Sequence, residues 1–298
     1  MEKIGFIGLG AIGAPMAENL VKKGLDLIIY DLNDTAVQRL VAAGAEAAAS
    51  VAEVTEKSDI IITMLPNSPD VAAVVTGPGG VIEHGRPEQL VMDMSTIDPS
   101  ATDDICARLG DAGIGFVDAP VGRLVTHAIA GESLFMVGAS DNHLGRVRPM
   151  LERMGTTIHH CGGPGSGIRT KLVNNLIAIS VCQVNAEAIA LATHFGLDPK
   201  ATLDVVNGTT ATNGHLVTAW PIKVLAGDTD PGFRIRLAQK DVSLALNAAQ
   251  SAGLPMPAGS AVREALTLAS GNAGYSEKDF SALLDFACET AGITPPRL

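Results

Sequence analysis

The sequence predicts an α/β protein: a doubly wound parallel sheet, then a long interdomain helix, then an all-helical second domain. Three observations carry that expectation. Short apolar runs alternate with helical patterns through the first half, a glycine-rich loop joins the first run to the first helix, and beyond Gly167 the helical periods contain no convincing strand. Runs that are continuously apolar, not alternating, are what strands covered on both faces require.

Taken in order, "KIGFIGL" reads as a strand, "AIGAPMAENLVKKG" as a helix ending at Gly24, and "LDLIIYDL" as a second strand. "SDIIITMLP", "QLVMDMS" and "IGFVDAP" follow as further strands with helical sequence between them, and "SLFMVGA" and "TIHHCGG" extend the sheet. A helix of about 25 residues starts near Ile168 and carries the chain out of the first domain. The expected division is residues 1–162 for the sheet domain and 163–298 for the long helix plus a helical substrate and oligomerisation domain.

Composition narrows the classes. A chain of 298 residues suits about two domains, and with 47% hydrophobic but only 3% aromatic residues its core must be built from Ala, Val, Leu and Ile. A net charge of -11 disfavours nucleic acid as a partner, and a bound anion then needs a local cluster of positive charge. Cys106, Cys161, Cys182 and Cys288 lie far apart without CxxC spacing, so free thiols in a reducing compartment are expected and a zinc site is not. His159 and His160 have no metal set around them. The stretch from Leu172 to Leu197 is apolar yet carries Asn174, Asn175, Gln183, Asn185, Glu187 and His194, which suits a helix buried in protein better than a membrane span. With a strand pattern from the first residues and no cleavable leader, a soluble cytoplasmic protein without a membrane partner is expected.

Gly8, Gly10 and Gly13 stand in GxGxxG spacing between a strand and a helix, and Asp31 ends the second strand 23 residues after Gly8. In that context Gly8 permits the tight turn, Gly10 lets backbone approach a pyrophosphate, and Gly13 allows close helix–strand packing. The helix start, with Leu9, Ala11 and Ile12 in the loop, offers amides and a positive dipole to phosphates. The Asp31 carboxylate suits two ribose hydroxyls and repels a 2′-phosphate. Leu32 and Asn33 bring no arginine, so NAD is expected over NADP. Loops following later strands should complete the site: Met64, Leu65, Pro66 and Asn67 in one, Ser95 and Thr96 in another. Ser95 and Thr96 stand either to contact ribose, nicotinamide or substrate or to cap the helix after Pro99.

In "GPGSGIRTKLVNNLIAIS", Lys171, Asn174 and Asn175 share one face of an otherwise apolar helix. Buried polar groups need partners, and reduction of a carbonyl needs a proton donor as the alkoxide forms. A lysine serves if partial burial and a neighbouring cation lower its pKa, and Arg123 in "DAPVGRLV" is a candidate for that cation. The alternative for Lys171 is a first-turn surface lysine. Lys240 and Asp241 form either a surface ion pair or a cofactor contact, and His215 is either a site residue or a structural histidine.

These residues resemble the β-hydroxyacid dehydrogenase family, the 3-hydroxyisobutyrate dehydrogenase-like enzymes. "GFIGLGAIGAPMAENL", "DMSTIDP", "DAPV" with "AIAGESLFMVG", "GPGSGIRTKLVNN" and "KDVSLAL" carry the resemblance in order along nearly the whole chain. It implies a Rossmann domain, dimers or tetramers, Lys171 as catalytic acid/base with Asn175 beside it, and Lys240 near the nicotinamide. Most members continue "DAPV" with a serine and two glycines, where this chain has Gly122, Arg123 and Leu124. That variant is similar to the members that reduce 3-sulfolactaldehyde, and implies that Gly122, Arg123 and Asn174 hold a sulfonate. Other expectations are reduction of succinic, methylmalonate or tartronate semialdehyde, oxidation of 3-hydroxyisobutyrate, imine reduction, or a non-catalytic NAD-binding module. The intact Lys171 weighs against the last two.

Overall fold

Nine strands pair into one sheet in a computed structural model that describes residues 2–272 and 274–298. They are β1 (Ile4–Ile7), β2 (Leu27–Tyr30), β3 (Glu46–Ala47), β4 (Ile60–Thr63), β5 (Leu90–Asp93), β6 (Gly115–Asp118), β7 (Val121–Gly122), β8 (Ser133–Gly138) and β9 (Gly155–Gly162). The order is β3-β2-β1-β4-β5-β6-β8-β7, with β9 also paired to β8. All pairs from β3 to β6 are parallel, and the order reverses at β1, placing β4 on the side opposite β2. The expected doubly wound parallel sheet is what forms.

The sheet's far edge turns antiparallel. Asp118 faces Gly138, Val121 faces Phe135 and Gly122 faces Leu134, while the Met136 amide donates to the Pro120 carbonyl at 3.2 Å. β6 and β7 are thus one run along β8, interrupted where Pro120 has no N–H to give. This run carries "DAPVGR" along β8 from Asp118 to Gly122.

Eight helices accompany the strands: α1 (Gly13–Lys22), α2 (Asp34–Ala42), α3 (Val51–Lys57), α4 (Ser68–Thr76), α5 (Val81–His84), α6 (Pro99–Asp111), α7 (Val125–Ala130) and α8 (Asp141–Met154). Side-chain oxygens of Asn33, Ser50, Asn67, Asp98 and Ser140 cap α2, α3, α4, α6 and α8, each accepting an otherwise orphaned amide. Period-two alternation splits the apolar strand residues between two covered faces. Phe6, Ile29, Ile60, Ile62 and Met92 pack with Met16 and Leu20, while Ile7, Ile28, Ile61 and Val91 pack with Val54, Val71 and Ile105. Each such fully buried side chain contributes about 1.5–3 kcal/mol.

α9 (Ser166–His194) follows, and α10 (Pro199–Asn207), α11 (Ile235–Ser251), α12 (Pro257–Gly271) and α13 (Leu283–Thr290) complete the helical part. The chain divides into two units, residues 1–171 and 172–298. The second has its own core, in which Trp220 is fully enclosed with Ile179, Cys182, Val242, Leu266 and Leu284.

Candidate active site

The glycine loop has the geometry its spacing predicts. Gly8 is left-handed at φ 102°, and a Cβ there would lie 2.3 Å from the Met64 carbonyl oxygen. A Cβ on Gly13 would lie 2.1 Å from the Gly8 carbonyl oxygen, so α1 meets β1 at a distance only glycine allows. Above Gly10, by contrast, no atom beyond its chain neighbours lies within 4 Å of a Cβ position. That open cradle at the start of α1, beside Ala11 and Ile12, fits a dinucleotide pyrophosphate. Asp31 follows β2 directly and binds the Leu9 and Asn33 amides at 2.5 and 2.7 Å, which ties the acid to the loop. Leu32 is 89% exposed, and Asn33 caps α2 through the Thr35 amide.

The later loops are organised by buried hydrogen bonds. Ser95 is 2% exposed. Its hydroxyl donates to Asp93 at 2.6 Å and accepts from the Leu65 amide at 2.9 Å, while Thr63 donates to the same Asp93 oxygen at 2.8 Å. Ser95 therefore locks the loop carrying Met64, Leu65 and Pro66 to the loop after β5. The cap of α6 is Asp98, through the Ser100 amide at 2.8 Å, so neither Ser95 nor Thr96 has that task. Thr96 is half-buried. Asn67 caps α4 through the Asp70 amide at 3.0 Å, with its side chain at the helix start.

Lys171 lies in the second turn of α9, and its amine donates to the Val121 carbonyl at 2.6 Å. This places the lysine on β7, against the residue preceding Gly122 and Arg123. Gly122 is buried and Arg123 exposed. Arg123 has φ 73°, one of two left-handed non-glycine residues among those described. Its guanidinium binds the Glu132 carbonyl and the hydroxyls of Thr156 and Thr157, the latter two at 3.1 Å. None of these acceptors is charged, so hydrogen bonds hold the arginine while its charge goes unneutralised by them.

In the second unit Asn175 is 7% exposed and donates to Asp241 at 2.6 Å, while Asn174 donates to Asn175 at 3.0 Å. An ionised carboxylate only accepts, so Asp241 forces the Asn175 nitrogen toward itself and the Asn175 oxygen toward Asn174. Lys240 lies 3.4 Å from the other Asp241 oxygen. Of the two alternatives for this pair, the carboxylate at least is no surface group, for Asp241 is 2% exposed. His215 binds the Ala178 carbonyl at 2.9 Å and sits edge-on to Phe280, with burial pushing its pKa down. These contacts hold the imidazole ring in place through one of its nitrogens. Sequence reasoning passed over Asp241 as an organiser of the Asn pair and Asp118 altogether. The signal for both was a carboxylate inside or at the end of an apolar run.

With this geometry in place, comparison with known proteins decides the family. Residues 3–163 match the model described as the NAD binding domain of 6-phosphogluconate dehydrogenase. Residues 165–287 match that described as NAD-binding of NADP-dependent 3-hydroxyisobutyrate dehydrogenase. The chain belongs to the 3-hydroxyisobutyrate dehydrogenase-like family. It is 42% identical over 294 residues to 3-sulfolactaldehyde reductase of Escherichia coli K12, covering 99% of this chain and 98% of that one. It is 37% identical to the NAD-dependent L-serine dehydrogenase of Pseudomonas aeruginosa, covering 98% and 100%. Among solved structures, 3-hydroxyisobutyrate dehydrogenase of Mycobacterium tuberculosis with L-serine superposes with TM-score 0.88 at 34% identity, covering 96% and 99%. The chain is thus a dehydrogenase/reductase of the β-hydroxyacid type with an NAD(P)-binding domain.

Proposed function

We propose that this enzyme reduces a short aldehyde bearing a terminal anion, with 3-sulfolactaldehyde, reduced to 2,3-dihydroxypropane-1-sulfonate, as the leading substrate. The observation that carries the reading is the pairing of Lys171 with the Val121–Arg123 segment: an amine bound to the Val121 carbonyl, two residues from a guanidinium held only by neutral acceptors. Bound NADH supplies the hydride to the aldehyde carbon. Lys171 gives its proton to the alkoxide oxygen, so aldehyde and proton become alcohol as the cofactor is oxidised. Arg123 exchanges its neutral acceptors for the anionic tail, gaining charge-assisted bonds roughly twice as strong. Gly122 and Asn174 are assigned to the same tail and Asn175 to the reacting oxygen, with Lys240, Thr96 and the 64–67 loop assigned to the cofactor. The similarity to 3-sulfolactaldehyde reductase supports the sulfonate. Carboxylate substrates of the 3-hydroxyisobutyrate, serine or semialdehyde kind are the second reading, favoured by the other relatives. The test is NADH oxidation over a panel of sulfonate and carboxylate aldehydes, and comparable kcat/KM for both tails would remove the sulfonate assignment.

NADH is the proposed cofactor, because Asp31 is an acid at the ribose position and residues 32 and 33 carry no cation. Asp31→Ala is expected to lose about 10-fold or more in kcat/KM with NADH while narrowing the preference over NADPH, since one charge-assisted bond contributes about 1.5–3 kcal/mol. An NADPH rate already equal to that with NADH in the wild type would reject this assignment.

A homodimer or homotetramer is the proposed assembly. Ile177, Val184 and Leu191 recur every seven residues on α9 and are exposed, with Val173 and Phe195 exposed beside them. α9 meets the length and hydropathy criterion of a membrane span, with mean hydropathy 1.6, but Asn175, Gln183 and Asn185 on it are buried among protein groups. The apolar stripe suits a second copy, and the four free cysteines fit a cytoplasmic location. Val184→Glu is expected to lower the molar mass measured by light scattering. An unchanged mass would move the interface elsewhere.

A further inference from the structure

Asp118 is a buried carboxylate that takes no part in the proposed chemistry, yet it is bound to the helix carrying Lys171. It ends β6 and is 2% exposed. Its two oxygens accept the Gly165 and Ile168 amides at 2.6 and 2.7 Å. Three residues further along each segment a bond runs the opposite way, from the Lys171 amine to the Val121 carbonyl at 2.6 Å. Two opposed contacts about one helical turn apart fix both the rotation and the rise of residues 166–171, the start of α9, against the Val121–Arg123 segment. Two glycines make space for the carboxylate: a Cβ on Gly138 would lie 2.2 Å from one Asp118 oxygen, and one on Gly167 would lie 2.8 Å from the other.

We infer that ionised Asp118 is a positioning residue for Lys171, pinning the first turn of α9 so that the amine is held against the Val121 carbonyl. The inference rests on the reading of Lys171 as proton donor. Only the carboxylate accepts both amides; the acid form turns an O–H toward one of them and loses that bond. Burial is the main cause pushing the Asp118 pKa up to about 6, opposed by the amides of Ile168 and Gly165 and assisted by the charge of Asp93. The groups facing it are Asp93 from β5, Cys106 from α6 and Arg169 from α9. The folded-state pKa lies above the ordinary 3.8. Stability contributed by Asp118 is therefore full below the ordinary value and lost as pH rises through about 6. Below 6 the clamp loosens while the fold does not, so activity and stability move in opposite directions.

The test compares Asp118→Asn with Lys171→Ala under NADH and the best aldehyde, well below each variant's Tm. Asp118→Asn is expected to lower kcat about 10- to 100-fold, the scale of a small misplacement of a catalytic group. The NADH KM should stay unchanged, and the acid-side fall in kcat near pH 6 should disappear. A lowered Tm with unchanged kcat and pH profile makes Asp118 a purely structural tie and overturns the inference. Unchanged turnover in Lys171→Ala overturns the reading of Lys171 instead, a separate result. If Asp118→Asn does not fold, wild-type kcat and circular dichroism from pH 7.5 to 5 carry the test. An inflection near 6 with the folded signal intact is expected, and a flat kcat profile overturns the proposal.

Discussion

Lys171→Ala is expected to lower kcat about 10²- to 10⁴-fold while NADH still binds, the range that a lost general acid costs. The side chain is half-buried and its amine donates to the Val121 carbonyl, a bond that the variant loses. Loss of that bond should cost about 1 kcal/mol, and the assay is run well below the variant's Tm. NADH affinity read by fluorescence quenching should match the wild type, because the glycine loop and Asp31 are untouched. Small primary amines added to the assay are expected to restore part of the rate, with potency following their pKa. A kcat within a few-fold of wild type, or no response to amines, would take the proton-donor role from this residue.

The second large effect belongs to Arg123. Both Arg123→Ala and Arg123→Gly are expected to raise the KM of a sulfonate aldehyde about 10- to 100-fold, the loss of a charged hydrogen-bonding partner, with the NADH KM unchanged. The two variants should part company on stability. At φ 73° an alanine keeps the left-handed strain, about 1–2 kcal/mol in an L-residue, and glycine does not. Each loses the bonds to Glu132, Thr156 and Thr157. Arg123→Gly should therefore melt above Arg123→Ala, the reverse of the usual order of the two residues. Equal KM values in wild type and both variants would remove Arg123 from the substrate tail.

The parts of this fold that local chemistry dictates were readable in the sequence. The strand runs around Ile4, Leu27, Ile60, Leu90 and Gly115 are continuously apolar because helices cover both faces, and Gly8 and Gly13 are glycines because neighbouring carbonyls occupy the space of a Cβ. The polar face of Lys171, Asn174 and Asn175 was visible because such groups stand out in an apolar helix. What stayed hidden depends on contacts distant in sequence. Ser95 reads as a ligand contact or a helix cap, and neither reading shows the bond that its hydroxyl accepts from Leu65, 30 residues away. His215 needs Ala178 and Phe280 to be understood. Asp118 reads as the end of a strand, because the amides it holds come 47 and 50 residues later. Arg123 stands out in the sequence as a charge, but no local pattern reveals a left-handed backbone under an arginine or the three neutral acceptors that hold its side chain.

That backbone has a consequence for how substrate preference changes over generations. Glycine occupies a left-handed position without strain, and every arginine codon is one base from a glycine codon. Under the proposed role of Arg123, the position that would pair with the substrate tail is also one where a single nucleotide change removes the guanidinium and relieves the backbone strain, at the loss of the bonds to Glu132, Thr156 and Thr157. On that reading this enzyme stands one mutational step from trading one anionic substrate for another, and the reverse step restores the strain that Arg123 carries.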